Sequence, residues 1–145
     1  MKTYLPKVAE LEHKCFLIDA KDKTLGRIAA KAASILRGKH SRIYTPFLDT
    51  GDTVIIVNAE KVRVTGKKLT DKVYQRYTGY PSGQREMTLG VMLKKNPAKV
   101  LELAVTRMLP RGPLAYKQAT KLKVYAGEAH PHAAQKPIAV EIKNY

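Results

Sequence analysis

CFLIDAKDKTLGRIAAKAASILRGKHSRIYTPFLDTGDTVIIVNA, residues 15–59, decides the fold. Its first six residues, Cys15 to Ala20, form an apolar run with little polar alternation, the pattern of a strand covered on both faces. Lys21-Asp22-Lys23 turns the chain, and Thr24 stands where a helix N-cap belongs. Leu25, Ile28, Ala29, Ala32, Ile35 and Leu36 then recur at helical spacing, with Arg27 and Lys31 directed to the other side. Gly38 supplies the helix stop. A second apolar run, Thr53 to Ala59, follows. Strand, amphipathic helix, strand is the grammar of a βαβ unit and predicts an α/β fold.

Outward from that unit, Lys61-Val62-Arg63-Val64-Thr65 alternates strictly and predicts a strand with one apolar and one cationic face. Gly66-Lys67-Lys68 turns, and Lys72 to Tyr80 alternates again, placing Lys72, Tyr74 and Arg76 on one side before Pro81-Ser82-Gly83 ends the run. Thr88 to Lys95 predicts a short helix. Asn96 predicts the cap of the next, with Pro97 at its first position and Val100, Leu101, Ala104, Val105, Met108 and Leu109 as its core face. After Pro110 the pattern predicts a short basic helix, a basic strand and an extended tail bearing His130 and His132. Residues 1–14 are polar and predict an irregular arm, and 138–145 carry no readable pattern. The 145 residues fit a single domain without repeats or a separating linker.

Charge gives the partner class. Residues 1–60 hold ten Lys/Arg against seven Asp/Glu, whereas 61–145 hold seventeen against five, and the whole chain carries a net +15. An excess gathered in one half points to a polyanion, and nucleic acid is the first choice. Membrane is the weaker alternative, because runs such as Val54-Ile55-Ile56-Val57 are far too short to span a bilayer. The start of the chain lacks the apolar run of a signal peptide, and the one cysteine, Cys15, fits a reducing compartment, so a cytosolic location is expected.

Three segments concentrate the cations. The connector after the first helix offers Arg37, Lys39, His40 and Arg42 with Tyr44 among them. The second segment offers Lys67, Lys68, Lys72, Arg76 and Arg85 interleaved with Tyr74 and Tyr77. The third offers Arg107, Arg111, Lys117, Lys121, Lys123, His130, His132 and Lys136. Cations neutralise phosphates and aromatic rings stack on exposed bases, so these are the candidate nucleic-acid-binding residues. A helix end decorated with solvated cations and tyrosines packed in a sheet would explain parts of the same pattern.

Catalytic motifs fare poorly. Phe47-Leu48-Asp49-Thr50-Gly51 resembles the aspartate-bearing segment of an acid protease, but that chemistry needs paired carboxylates in an all-β frame. A helix precedes the segment here, and a turn rich in Asp, Thr and Gly explains it without catalysis. Gly38-Lys39-His40 and Gly66-Lys67-Lys68 both fail the phosphate-loop pattern, and there is no GxGxxG. His130-x-His132 has only Glu128 nearby to complete a metal site. No cofactor, metal, small-molecule substrate or enzymatic activity is expected. A basic nucleic-acid-binding module without specificity remains an alternative, as does the acid protease centred on Asp49.

A resemblance sharpens this reading. Met108-Leu109-Pro110-Arg111-Gly112-Pro113-Leu114, Leu122-Lys123-Val124-Tyr125-Ala126-Gly127 and His130-Pro131-His132 are similar, in order and spacing, to the family of bacterial large-subunit ribosomal protein L-thirteen. Thr24-Leu25-Gly26-Arg27, Leu36-Arg37-Gly38-Lys39-His40, Asp49-Thr50-Gly51-Asp52, Val57-Asn58-Ala59 and Val64-Thr65-Gly66-Lys67-Lys68 extend it over nearly the whole chain. The resemblance implies a three-layer α/β/α fold with a small, mostly parallel sheet and basic extensions. It also implies a constituent of the cytoplasmic large ribosomal subunit, bound to large-subunit rRNA beside neighbouring ribosomal proteins and incorporated early in assembly. Two departures stand out: Thr106-Arg107 and Ala115-Tyr116 occupy places where the family commonly has Lys-Gly and Gly-Arg.

Overall fold

The computed structural model describes residues 5–7 and 11–142. Strand β1 (Cys15–Asp19), helix α1 (Leu25–Leu36) and strand β2 (Thr53–Val57) form the βαβ unit, with β1 and β2 parallel and Phe16 opposite Val54. Four short helices and four more strands follow: α2 (Lys68–Asp71), β3 (Val73–Tyr77), β4 (Gln84–Thr88), α3 (Leu89–Lys95), α4 (Pro97–Thr106), α5 (Pro113–Thr120), β5 (Leu122–Val124) and β6 (Ile138–Ala139). The main sheet runs β5-β2-β1-β6 with every pair parallel, and β3-β4 form a separate antiparallel ribbon. Consecutive residues Val54, Ile55, Ile56 and Val57 are all buried, so β2 is covered on both faces, as its unbroken apolar run requires. The α/β class and the parallel sheet are as expected.

Helix α1 lays Leu25, Ile28, Ala29, Ala32, Ile35 and Leu36 into the core beside Val100, Leu101 and Val105 of α4, and Arg27 and Lys31 face outward. Its end is a left-handed glycine stop: Gly38 has φ +78, its N–H bonds the Ile35 carbonyl at 2.9 Å, and the Lys39 N–H bonds Ser34 at 3.0 Å. Its start differs from expectation. Thr24 holds the extended N-cap backbone, but its hydroxyl makes no capping bond and is buried without a partner. Asn96 does cap α4, accepting from the Lys99 N–H at 3.1 Å, with Pro97 in the first turn.

Four other expectations are corrected. Residues 61–65 keep their alternation, Val62 in and Arg63 out, but stay outside the sheet and make only an isolated bridge from Arg63 to Thr24, because the chain is already turning into α2. The second alternating run is a strand only from Val73 to Tyr77, and Gln84–Thr88, unread in the sequence, is the strand that pairs with it. Helix α4 stops at Thr106, which leaves Met108 48% exposed instead of in the core. The C-terminal stretch supplies edge strand β6 against β1, with Phe16 opposite Ile138. Residues 5–7 and 11–14 carry no helix or strand, and the rest of the expected arm lies outside the described residues.

Candidate nucleic-acid interface

The chain turns at Asp22, runs through Thr24 into the first turn of α1, and returns at Arg63 alongside it. The Leu25 N–H bonds the Arg63 carbonyl at 3.1 Å and the Arg63 N–H bonds the Lys23 carbonyl at 2.9 Å. This pairing holds the 63–72 segment against the start of α1, and the end of α4 closes the other side. Between them lies a cleft of about 980 Å³ lined by Arg27, Arg63, Lys67, Lys68, Lys72 and Arg107, with Asp22 and Asp71 as its only carboxylates. Six cations drawn from separate stretches thus converge on one concavity, whose potential low-dielectric walls would focus.

Two of the cationic segments meet here. Lys72 Nζ lies 5.4 Å and the Arg107 guanidinium 5.6 Å from the centre of the Tyr74 ring. Tyr74 is itself 8% exposed and belongs to the core, so this ring seats the cations instead of offering a stacking face. Tyr77, 66% exposed, remains open on the ribbon. Arg76 and Arg85 stand directly opposite each other in the β3–β4 register, like charges side by side, whereas the next pair, Gln75 and Glu86, is joined by a 2.9 Å hydrogen bond. Arg27 and Arg63 were absent from the candidate residues. Arg27 reads in the sequence as the outward face of a helix, and the pairing of Arg63 with Thr24 brings the 63–72 segment beside it.

Elsewhere the candidates divide. Lys39, Arg42, Arg111, Lys117, Lys123 and Lys136 are exposed. Arg37 lies over the Tyr44 ring at 5.8 Å. His40 and Lys121 are engaged: His40 Nε2 meets Asp52 Oδ2 at 2.8 Å, and Lys121 Nζ meets Asp49 Oδ2 at 2.8 Å and the Gly51 carbonyl at 3.0 Å. His132 bonds the Tyr125 hydroxyl through Nε2 at 2.8 Å and its ring stacks near His130, so this pair shapes its own turn. Among the described residues no group of three or more His, Cys, Asp or Glu is placed to hold a metal.

The Asp-Thr-Gly segment is a clamp. Gly51 presses against the last turn of α1, the Lys14 N–H donates to Asp52 Oδ1 at 2.7 Å, and the His13 ring meets the Gly51 carbonyl at 2.8 Å. Asp49, neutralised by Lys121, is bound into this turn, and the neighbouring Asp52 is bonded to His40 and Lys14. Each carboxylate is thus held by a basic partner, unlike the proton-sharing pair that an acid protease requires. Cys15 is no better a nucleophile, since burial pushes its thiol up from the ordinary value. Asp19 moves the other way. Burial pushes its carboxyl up, but hydrogen bonds from the Lys21 N–H and the Asn58 amide, with the charges of Lys21 and Lys61, outweigh that and hold it below the ordinary value.

Both departures from the family pattern fit without strain. Arg107 has ordinary helical backbone at φ −70, and Ala115 lies in the first turn of α5, so neither place needs a glycine. No helix among the described residues is long and apolar enough to cross a membrane.

The profile of the family described as Ribosomal protein L13 matches residues 13–131. A protein of Symbiobacterium thermophilum named large ribosomal subunit protein uL13 is 55% identical over 97% of this chain and 99% of its own length. The proteins of the same name from Nitrosomonas eutropha and Syntrophomonas wolfei are 54% and 53% identical, covering 98% and 99% of this chain and 99% of each relative. These relatives are named as ribosomal proteins, not enzymes, in keeping with a surface that gathers cations and ties Asp49 and Asp52 into structure. A match of that length and identity, on an α/β frame with a cationic cleft, places the chain in the ribosomal protein L13 family.

Proposed function

We propose that this protein is a structural constituent of the cytoplasmic large ribosomal subunit that binds large-subunit rRNA and supports early subunit assembly. The observation that carries the reading is the convergence of six Lys/Arg on one cleft in a member of a ribosomal protein family. Cations fixed on short helices and turns neutralise phosphates where RNA helices approach one another, which lowers the cost of bringing them close. The Arg76–Arg85 pair supports it further, because two guanidinium groups in cross-strand register are best relieved by an anion between them. The connector and the 111–136 segment supply further phosphate contacts, and neighbouring ribosomal proteins meet the remaining surface.

The test is sedimentation of a tagged chain from cells lysed at low salt. It is expected to travel with large subunits at a stoichiometric level. A chain found only with small subunits, or only at the top of the gradient in growing cells, would overturn the proposal.

A further inference from the structure

We propose that the cleft receives a single unpaired nucleotide flipped out of an RNA helix, its phosphates on the cationic rim and its base on an apolar floor. This rests on the RNA-binding reading above and names the RNA feature that the site takes. A surface that only tracks duplex phosphates has no use for a recess, since the bases of a duplex are hidden in the stack. This recess has the size of clefts that hold small organic ligands, which run roughly 300–1,000 Å³, at about 980 Å³.

Its lining is also not uniformly charged. Val64, partly exposed, and Met108, half exposed, line it together with the six cations over the buried Leu25 and Leu89, so an apolar contact is on offer to a flat ring. Thr24 lines the same cleft with a buried hydroxyl that has no partner in the protein, and Asp71, whose Oδ1 accepts from the Thr70 hydroxyl at 2.9 Å, keeps its other oxygen as an acceptor for a base amino group. Apolar floor, polar edge groups and a cationic rim together match a nucleotide in all three of its parts.

Gly26 allows shape to be separated from charge. It lines the cleft in the first turn of α1, and a Cβ built there meets nothing within 4 Å. Gly26→Leu therefore narrows the recess at its α1 edge, keeps every cation and removes a glycine from a helix, which does not lower its stability. The probes are two short RNA hairpins, one with a single bulged 2-aminopurine and one fully paired, titrated at the same salt. The native protein is expected to bind the bulged hairpin about tenfold tighter, the scale of one stacked base. In Gly26→Leu that ratio falls to about one, and the 2-aminopurine fluorescence change disappears.

Should Gly26→Leu melt early, Met108→Ser decides at an exposed position, and it too must lower the ratio. Equal affinity of the native protein for the two hairpins, or a ratio unchanged in both variants, overturns the inference and leaves the RNA-binding proposal standing. Failure to bind either hairpin even at low salt overturns both.

Discussion

At the scale of single residues, the tightest constraint is a missing side chain. The turn at residues 49–52 packs so closely on the end of α1 that a Cβ at Gly51 would overlap the Leu36 carbonyl, and a Cβ at Gly38 would lie 2.7 Å from Thr50. Backbone meets backbone there, so no rotamer change relieves the clash. Gly51→Ala is expected to cost about 1–3 kcal/mol as the turn and the helix end are pushed apart. Thermal melts check this, and an unchanged melting temperature would mean that the clamp yields freely. Asp49-Thr50-Gly51-Asp52 was legible in the sequence as a turn, but its hold on Lys121, Lys14 and His13 was not, because each partner comes from a remote position.

At the scale of elements, α1 is the member on which the rest assembles. Its apolar stripe packs with β2 and α4, and Ile28 in the middle of that stripe is fully buried. Ile28→Asp places an unpaired carboxylate where no cation or water reaches it. The expected loss is several kcal/mol, on the order of a large part of a small domain's stability. Chemical denaturation measures it, and a midpoint equal to that of the parent would put Ile28 outside the core. The helix was fully legible because twelve residues repeat one periodicity. Strand β4 was not, since Gln84-Arg85-Glu86-Met87-Thr88 is nearly all polar and becomes a strand only by pairing with β3. The 61–65 segment erred in the opposite sense: it alternates like a strand but lacks a neighbour along its length.

At the scale of the whole molecule, the question is whether charge acts as a total or as an arrangement. Lys67, Lys68 and Lys72 share one cleft, and Arg107 from the other cationic segment reaches it. Replacing Lys67, Lys68 and Lys72 with Gln is expected to weaken binding to a large-subunit rRNA fragment and to flatten its salt dependence by about two to three units. Replacing Arg107, Arg111 and Lys123 should do the same with little loss of stability, since all three are exposed. Removing the arm lysines Lys2, Lys7 and Lys14 should matter less. The measurement is a salt titration with melts in parallel, and equal losses from all three triplets would show that only total charge counts.

The α/β class, the βαβ unit, the cationic excess and the family were all legible in the sequence alone. All of these rest on local periodicity, composition and motif order, which need no knowledge of what lies nearby in space. Which cations lie together was settled by tertiary packing. It joined Arg27 and Arg63 to Lys67, Lys68, Lys72 and Arg107 around one cleft, turned the Tyr74 ring inward, and tied His40 and Lys121 to Asp52 and Asp49. The reason is physical: a cation's role depends on whether a carboxylate or a phosphate stands within a few ångströms, and that distance is set by chain reversals and packing between residues far apart in sequence.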